Sequence, residues 1–90
     1  MRACTAVVRG RVHGVGFRYS TQRLAHDLGV AGWVRNRPDG SVEVWAQGDE
    51  EAMHAFVEFL HRGPRAAQVR SVTVDASQPD AGCRSFDVTF

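Results

Sequence analysis

Residues 10–18 read Gly10-Arg11-Val12-His13-Gly14-Val15-Gly16-Phe17-Arg18, and their types and spacing suit the binding of an anion. An alternating apolar run ends there, two glycines follow two apart, and an arginine closes the segment. Gly14 and Gly16 can adopt backbone angles closed to other residues, so that successive N–H groups point into one concavity. The helical pattern that begins next would add free N–H groups and its positive dipole end. Arg18 brings a planar fork of donors that matches a phosphoryl group. The same glycines also suit a plain tight turn, and local spacing leaves both readings open. A nucleotide is disfavoured. The GxxxxGK[ST] loop needs a lysine, which this chain lacks, and the GxGxxG fingerprint needs glycine where Tyr19 stands.

A second polar residue stands out in Gly32-Trp33-Val34-Arg35-Asn36-Arg37. Asparagine before a turn is commonly a turn residue. Alternation, however, puts Asn36 on the same face as Val34, toward any covering helices, where its amide could accept from a water and donate to a phosphoryl oxygen. Arg35 and Arg37 read equally well as charges that raise the local potential for an anionic substrate and as ordinary edge charges.

The elements that must position these residues follow from periodicity. Residues 3–12 alternate, with Cys4, Ala6 and Val8 on one side and Thr5, Val7, Arg9 and Arg11 on the other. Thr21, Leu24, Ala25 and Leu28 predict a helix over 19–29 that stops at Gly29. Strands over 31–37 and 41–47 flank a Pro38-Asp39-Gly40 turn, with Val42, Val44 and Ala46 inward. Asp49 is a good N-cap for a second helix carrying Met53, Phe56, Val57 and Leu60, which Gly63-Pro64 ends. Residues 68–75 form a fourth strand with Val72 and Val74 inward. A short last strand over 84–90 is expected to place Phe86, Val88 and Phe90 on one face. The order βαββαβ with an additional C-terminal strand gives an α+β fold: a ferredoxin-like two-layer sandwich, two helices on one face of a mostly antiparallel sheet. Residues 1–90 are read as a single domain.

Composition narrows the function classes. The formal net charge is +1, less basic than a general nucleic-acid binder. No apolar run approaches the roughly 20 residues of a spanning helix, and the N-terminus lacks a signal peptide's apolar core, so a cytoplasmic protein without a membrane partner is expected. All eleven basic residues are arginine, so a lysine Schiff base or lysine phosphate ligand is excluded. Cys4 and Cys83 stand far apart, form no CxxC pair and are expected to be free thiols. The acidic residues are scattered, so no metal site is expected. His26, His54 and His61 read as solvated helix residues, and Trp33 and Trp45 as packing residues.

The segments GRVHGVGFR at 10–18, GWVRN at 32–36 and PDGSVEV at 38–44, at this separation and in this element order, closely resemble the acylphosphatase family over essentially the whole chain. The resemblance implies a hydrolase that cleaves the carboxyl–phosphate anhydride of small acyl phosphates. It implies that His13, Gly14, Val15, Gly16, Phe17 and Arg18 cradle the phosphate, that Arg18 is the phosphate-binding arginine, and that Asn36 positions the nucleophilic water. Many members carry glutamine where this chain has His13, which argues against an essential histidine base there. No cofactor and no metal are expected, and a monomer is the expected state.

The chemistry is consistent with so sparse a site. The leaving group is a carboxylate whose acid has a pKa of about 4, so no general acid is needed at neutral pH. Phosphoryl transfer then asks mainly for positioning and charge stabilisation. The Phe90 carboxylate, at the end of a strand, is a candidate ion-pair partner for Arg18. Three other readings are weighed against hydrolysis. An anion-sensing module would keep the loop but has no use for Asn36. An RNA-binding domain would want exposed aromatics and a basic sheet. An acylphosphatase-like unit can also sit inside larger carbamoyl-transfer maturation proteins; the chain's end at Phe90 favours a free-standing enzyme.

Overall fold

A computed structural model describes residues 1–90. In chain order the elements are β1 (Arg2–Arg11), α1 (Phe17–Leu28), β2 (Ala31–Asn36), β3 (Val42–Gly48), α2 (Glu50–Arg62), β4 (Gln68–Ser77) and β5 (Phe86–Thr89). The five strands form one sheet in the order β4-β1-β3-β2-β5. Every pairing is antiparallel except β2 with β5. Both helices cover one face, giving the two-layer arrangement that the sequence pattern predicts.

The core lies between sheet and helices. It takes Ala6 and Val8 from β1, Val34 from β2, Val42, Val44 and Ala46 from β3, and Phe56 and Leu60 from α2, all at 1% exposure or less. Phe56 meets Phe86 of β5 edge-on, with ring centroids 5.7 Å apart. Asp49 Oδ1 accepts a 2.8 Å hydrogen bond from the Ala52 N–H, capping α2 as its side-chain chemistry requires. Gly32 permits the tight approach of β2 to β3: its φ is 147°, and a Cβ there would sit 1.9 Å from the Trp45 carbonyl oxygen. Trp33 and Trp45 pair across these strands on the open face, and Trp45 Nε1 donates to Ser77 Oγ at 3.2 Å. No helix is long and apolar enough to cross a membrane.

Strand direction fixes where a site can form. β1 and β2 each run antiparallel to β3, so they run parallel to one another, and β5 runs parallel to β2. The carboxyl ends of β1, β2 and β5 therefore meet at one end of the sheet, the place where open α/β sheets bind ligands. Val8 and Asn36 both pair with Val42, from opposite sides of β3. The loop leaving β1 and the last residue of β2 are thus brought to the same level.

Three sequence expectations need correction. Helix α1 starts at Phe17 rather than at residue 19, because Gly16 in the left-handed region already serves as its N-cap. Val74 shares the helix-side face but is 41% exposed, since β4 is an edge strand and Val74 lines an open cleft against Met53, His54 and Val57 of α2 instead of packing closed against them. Phe90 lies beyond β5 and is 98% exposed, so it is not a core residue.

Candidate active site

The loop between β1 and α1 is a run of unused donors. Gly14 and Gly16 have φ of 69° and 76°, the left-handed conformation that reverses the chain and turns neighbouring N–H groups the same way. No side chain caps α1, and its first turn holds no acidic residue. Ser20 is the first helix residue whose N–H bonds back, to the Gly16 carbonyl at 3.0 Å. The N–H groups from His13 through Tyr19 find no acceptor within the chain. Donors in such number, concave and at a helix start, favour an anion.

Arg18 occupies the first turn of α1, where the two-residue shift of the helix start places it. Its side chain reaches across to the C-terminal end of β5. Nη1 donates to the Thr89 carbonyl at 3.4 Å, and the guanidinium lies 4.8 Å from the centre of the Phe90 ring. The expected ion pair with the Phe90 carboxylate is not among the ion pairs of the structure; the backbone carbonyl and the ring face hold the guanidinium instead. β5 is itself clamped to α1, because Gln22 Nε2 and His26 Nε2 both reach the Phe86 carbonyl, at 3.1 Å and 3.3 Å.

Asn36 ends β2 on the helix-side face, as alternation predicts. Its Oδ1 is buried and has no hydrogen-bond partner, the only buried side-chain polar atom in that condition. Asn36, Arg18, Gly14, Gly16, Phe17, Tyr19, Val12 and Val88 line one cavity of about 260 Å³. The fold therefore brings Arg18 and Asn36, some eighteen positions apart in the chain, to one concavity with the glycine loop. His13 and Val15 do not line it. Val15 packs against the core. His13 Nε2 lies 2.8 Å from the Ser41 carbonyl, so this nitrogen carries the hydrogen and donates it, tying the loop to the start of β3.

Residues missed by the sequence reading are Val12, Tyr19 and Val88 in the cavity wall and Thr89 against Arg18; Phe90 was expected beside Arg18, but meets it through its ring and not its carboxylate. Their roles arise from the parallel placement of β5 beside β2, which local periodicity does not encode. No three of the His, Cys, Asp or Glu side chains converge as metal ligands do. Both cysteines are free, and burial raises the pKa of Cys4.

The turn that follows Asn36 has its own acid. Hydrogen bonds from the Ser41 hydroxyl and N–H, aided by the charges of Arg37 and Arg9, lower the Asp39 pKa from 3.8 to about 2. A depressed carboxyl pKa means stability present in full above the unfolded value and lost as pH falls through the folded one. Thermal unfolding should therefore separate native protein from Asp39→Asn most clearly above pH 3.8, with the gap closing toward pH about 2. A gap independent of pH over that window would refute the assignment.

An α+β sandwich thus gathers an uncapped helix start, a guanidinium and a buried amide at the carboxyl ends of its strands, donors of the kind that suit a small anion. The family model for Acylphosphatase matches residues 4–88, and the chain belongs to the acylphosphatase family, hydrolases of acyl phosphates. It is 52% identical to an acylphosphatase of a Nocardioides species over 86 residues, covering 96% of this chain and 86% of that one. Its structure is similar to the crystal structure of acylphosphatase from Bacillus subtilis, with a TM-score of 0.94 and 40% identity over 100% of both chains. An acylphosphatase structure from Coxiella burnetii gives a TM-score of 0.90 at 32% identity, covering 98% of this chain and 92% of that one.

Proposed function

We propose that this enzyme hydrolyses acyl phosphates without a metal, by attack of a water that Asn36 positions on a phosphoryl group held by the loop and Arg18. The observation that carries the reading is that Asn36 lines the cavity that also contains Arg18 and the glycine loop, with its Oδ1 buried and left without a hydrogen-bond partner. A buried acceptor left unpaired costs stability. A substrate-bound water that donates to it would satisfy it during the reaction.

In this mechanism the N–H groups of His13, Gly14, Val15, Gly16, Phe17 and Arg18, with the Arg18 guanidinium, bind the phosphoryl oxygens. They are fixed donors that need no reorganisation as charge shifts. The water oxygen forms a bond to phosphorus while the bridging phosphorus–oxygen bond breaks. The bonding pair leaves with the carboxylate, and the water's proton passes to a phosphoryl oxygen of the substrate. The products are a carboxylate and inorganic phosphate. His13 Nε2 is engaged with Ser41, which agrees with an anchoring role and not with that of a general base.

Benzoyl phosphate hydrolysis in phosphate-free buffer, measured with EDTA across pH, tests the proposal. Turnover should be rapid, insensitive to EDTA and free of any enzyme base titrating near neutrality. EDTA-sensitive turnover would remove the metal-free claim. Binding of inorganic phosphate without turnover would convert the site into an anion sensor.

A further inference from the structure

A second cleft also borders Asn36. It has a volume of about 320 Å³ and is lined by Arg35, Asn36, Arg37, Pro38 and Phe90. Asn36 is shared with the phosphate cavity. Phe90 links the two as well, because Arg18 stacks on its ring while the residue also lines the second cleft. A substrate with its phosphoryl group in the loop and its anhydride at Asn36 can extend its acyl group into this space.

The two arginines of the cleft are in different states. Arg35 is committed: Nη2 and Nε lie 2.7 Å and 2.8 Å from Glu43 Oε1, and the guanidinium sits 5.3 Å from the Trp33 ring centre. Arg37 is half-buried, makes no ion pair, and its side chain donates no hydrogen bond within the chain. Its backbone is fixed, with the N–H donating to the Ser41 carbonyl at 2.8 Å and its carbonyl accepting from Gly40 at 3.1 Å. The neighbouring carboxylate, Asp39, is already held by Ser41 and by Arg9. Arg37 is thus a cation on a fixed backbone, close enough for its charge to act on Asp39 but with its side-chain donors unspent, in a cleft that shares Asn36 with the phosphate site.

Resting on the hydrolytic reading above, we infer that Arg37 is a specificity-determining residue that favours acyl phosphates whose acyl group carries a second negative charge. The second anion meets the Arg37 fork, a charge-assisted contact, while Pro38 and Phe90 supply the apolar walls for the connecting atoms. The interaction is made equally in the bound substrate and in the transition state, so it acts through KM more than through kcat.

The test compares 4-carboxybenzoyl phosphate with 4-carbamoylbenzoyl phosphate, which matches it in size without the charge, and uses benzoyl phosphate as reference. The native enzyme should prefer the carboxylate by roughly ten-fold in kcat/KM, mainly through KM. The preference should shrink with added salt. It should collapse toward unity in Arg37→Gln and return in part in Arg37→Lys, both checked for folding by circular dichroism. Because the ratio is read within each variant, a general loss of activity cancels. Absence of the preference in native enzyme that turns over benzoyl phosphate, or its persistence in Arg37→Gln, overturns the inference alone. Failure of native enzyme to turn over benzoyl phosphate overturns the hydrolytic reading and this inference with it.

Discussion

Arg18→Gln should lower kcat/KM for benzoyl phosphate by at least ~10², since one preorganised donor to a developing charge is typically worth about 10²–10³ and Arg18 is expected to bind the ground state too. Both parameters should move, KM upward and kcat downward, and inorganic phosphate should weaken in parallel as a competitive inhibitor. Arg18→Lys is the sharper variant. It keeps the positive charge but replaces a planar fork with a point charge on a flexible stem. The guanidinium is held on two sides, by the Phe90 ring at 4.8 Å and the Thr89 carbonyl at 3.4 Å, and an ammonium cannot reproduce the stacked contact while also aiming two donors at the phosphoryl oxygens. Lysine should therefore recover only a minor part of the loss. If Arg18→Lys matched the native enzyme, charge alone would suffice and the geometric argument would fail. If Arg18→Gln stayed within a few-fold of native, the peptide N–H groups alone would carry the phosphate.

The parts of this structure that could be read from sequence are those governed by short-range periodicity and turn chemistry. The alternation of Cys4, Ala6 and Val8 gives the buried face of β1, and Asp49 with Gly63 brackets α2, as the cap geometry bears out. Asn36 falls on the helix-side face because Val34 does. The glycine loop was legible as a conformational signal, and its two left-handed residues are present. What escaped depends on long-range placement. Nothing local distinguishes a Phe90 that continues the apolar face of β5 from one that leaves the strand and stacks on Arg18. Val74 has the right parity and still lies exposed, because burial at an edge strand depends on how closely α2 packs there. The Arg18 helix position was missed by two residues because Gly16 reads as loop while acting as the N-cap. Tyr19 and Val88 enter the cavity wall only because α1 and β5 meet there.

Asn36→Ala should lose about 10²–10³ in kcat while KM and the affinity for inorganic phosphate stay near native values. The asymmetry follows from the proposed role. A residue that orients the attacking water contributes little to holding the phosphoryl group, which the loop and Arg18 grip, and its effect appears when the water begins to bond to phosphorus. Stability supplies an independent check of opposite sign. The Asn36 Oδ1 is buried without a partner, and an unsatisfied buried acceptor typically costs about 1–3 kcal/mol. Removing it relieves that cost, so the alanine variant should unfold at a temperature no lower than the native enzyme. A turn residue would behave the other way: its loss would weaken the β2–β3 connection, lower the unfolding temperature and spare kcat. The two measurements together separate the alternatives left open by the sequence. A variant that is as stable as native yet nearly inactive means that the amide is retained for the reaction at the expense of the fold, the expected trade at a catalytic position. A destabilised, active variant would return Asn36 to the turn and leave the water without a positioning group.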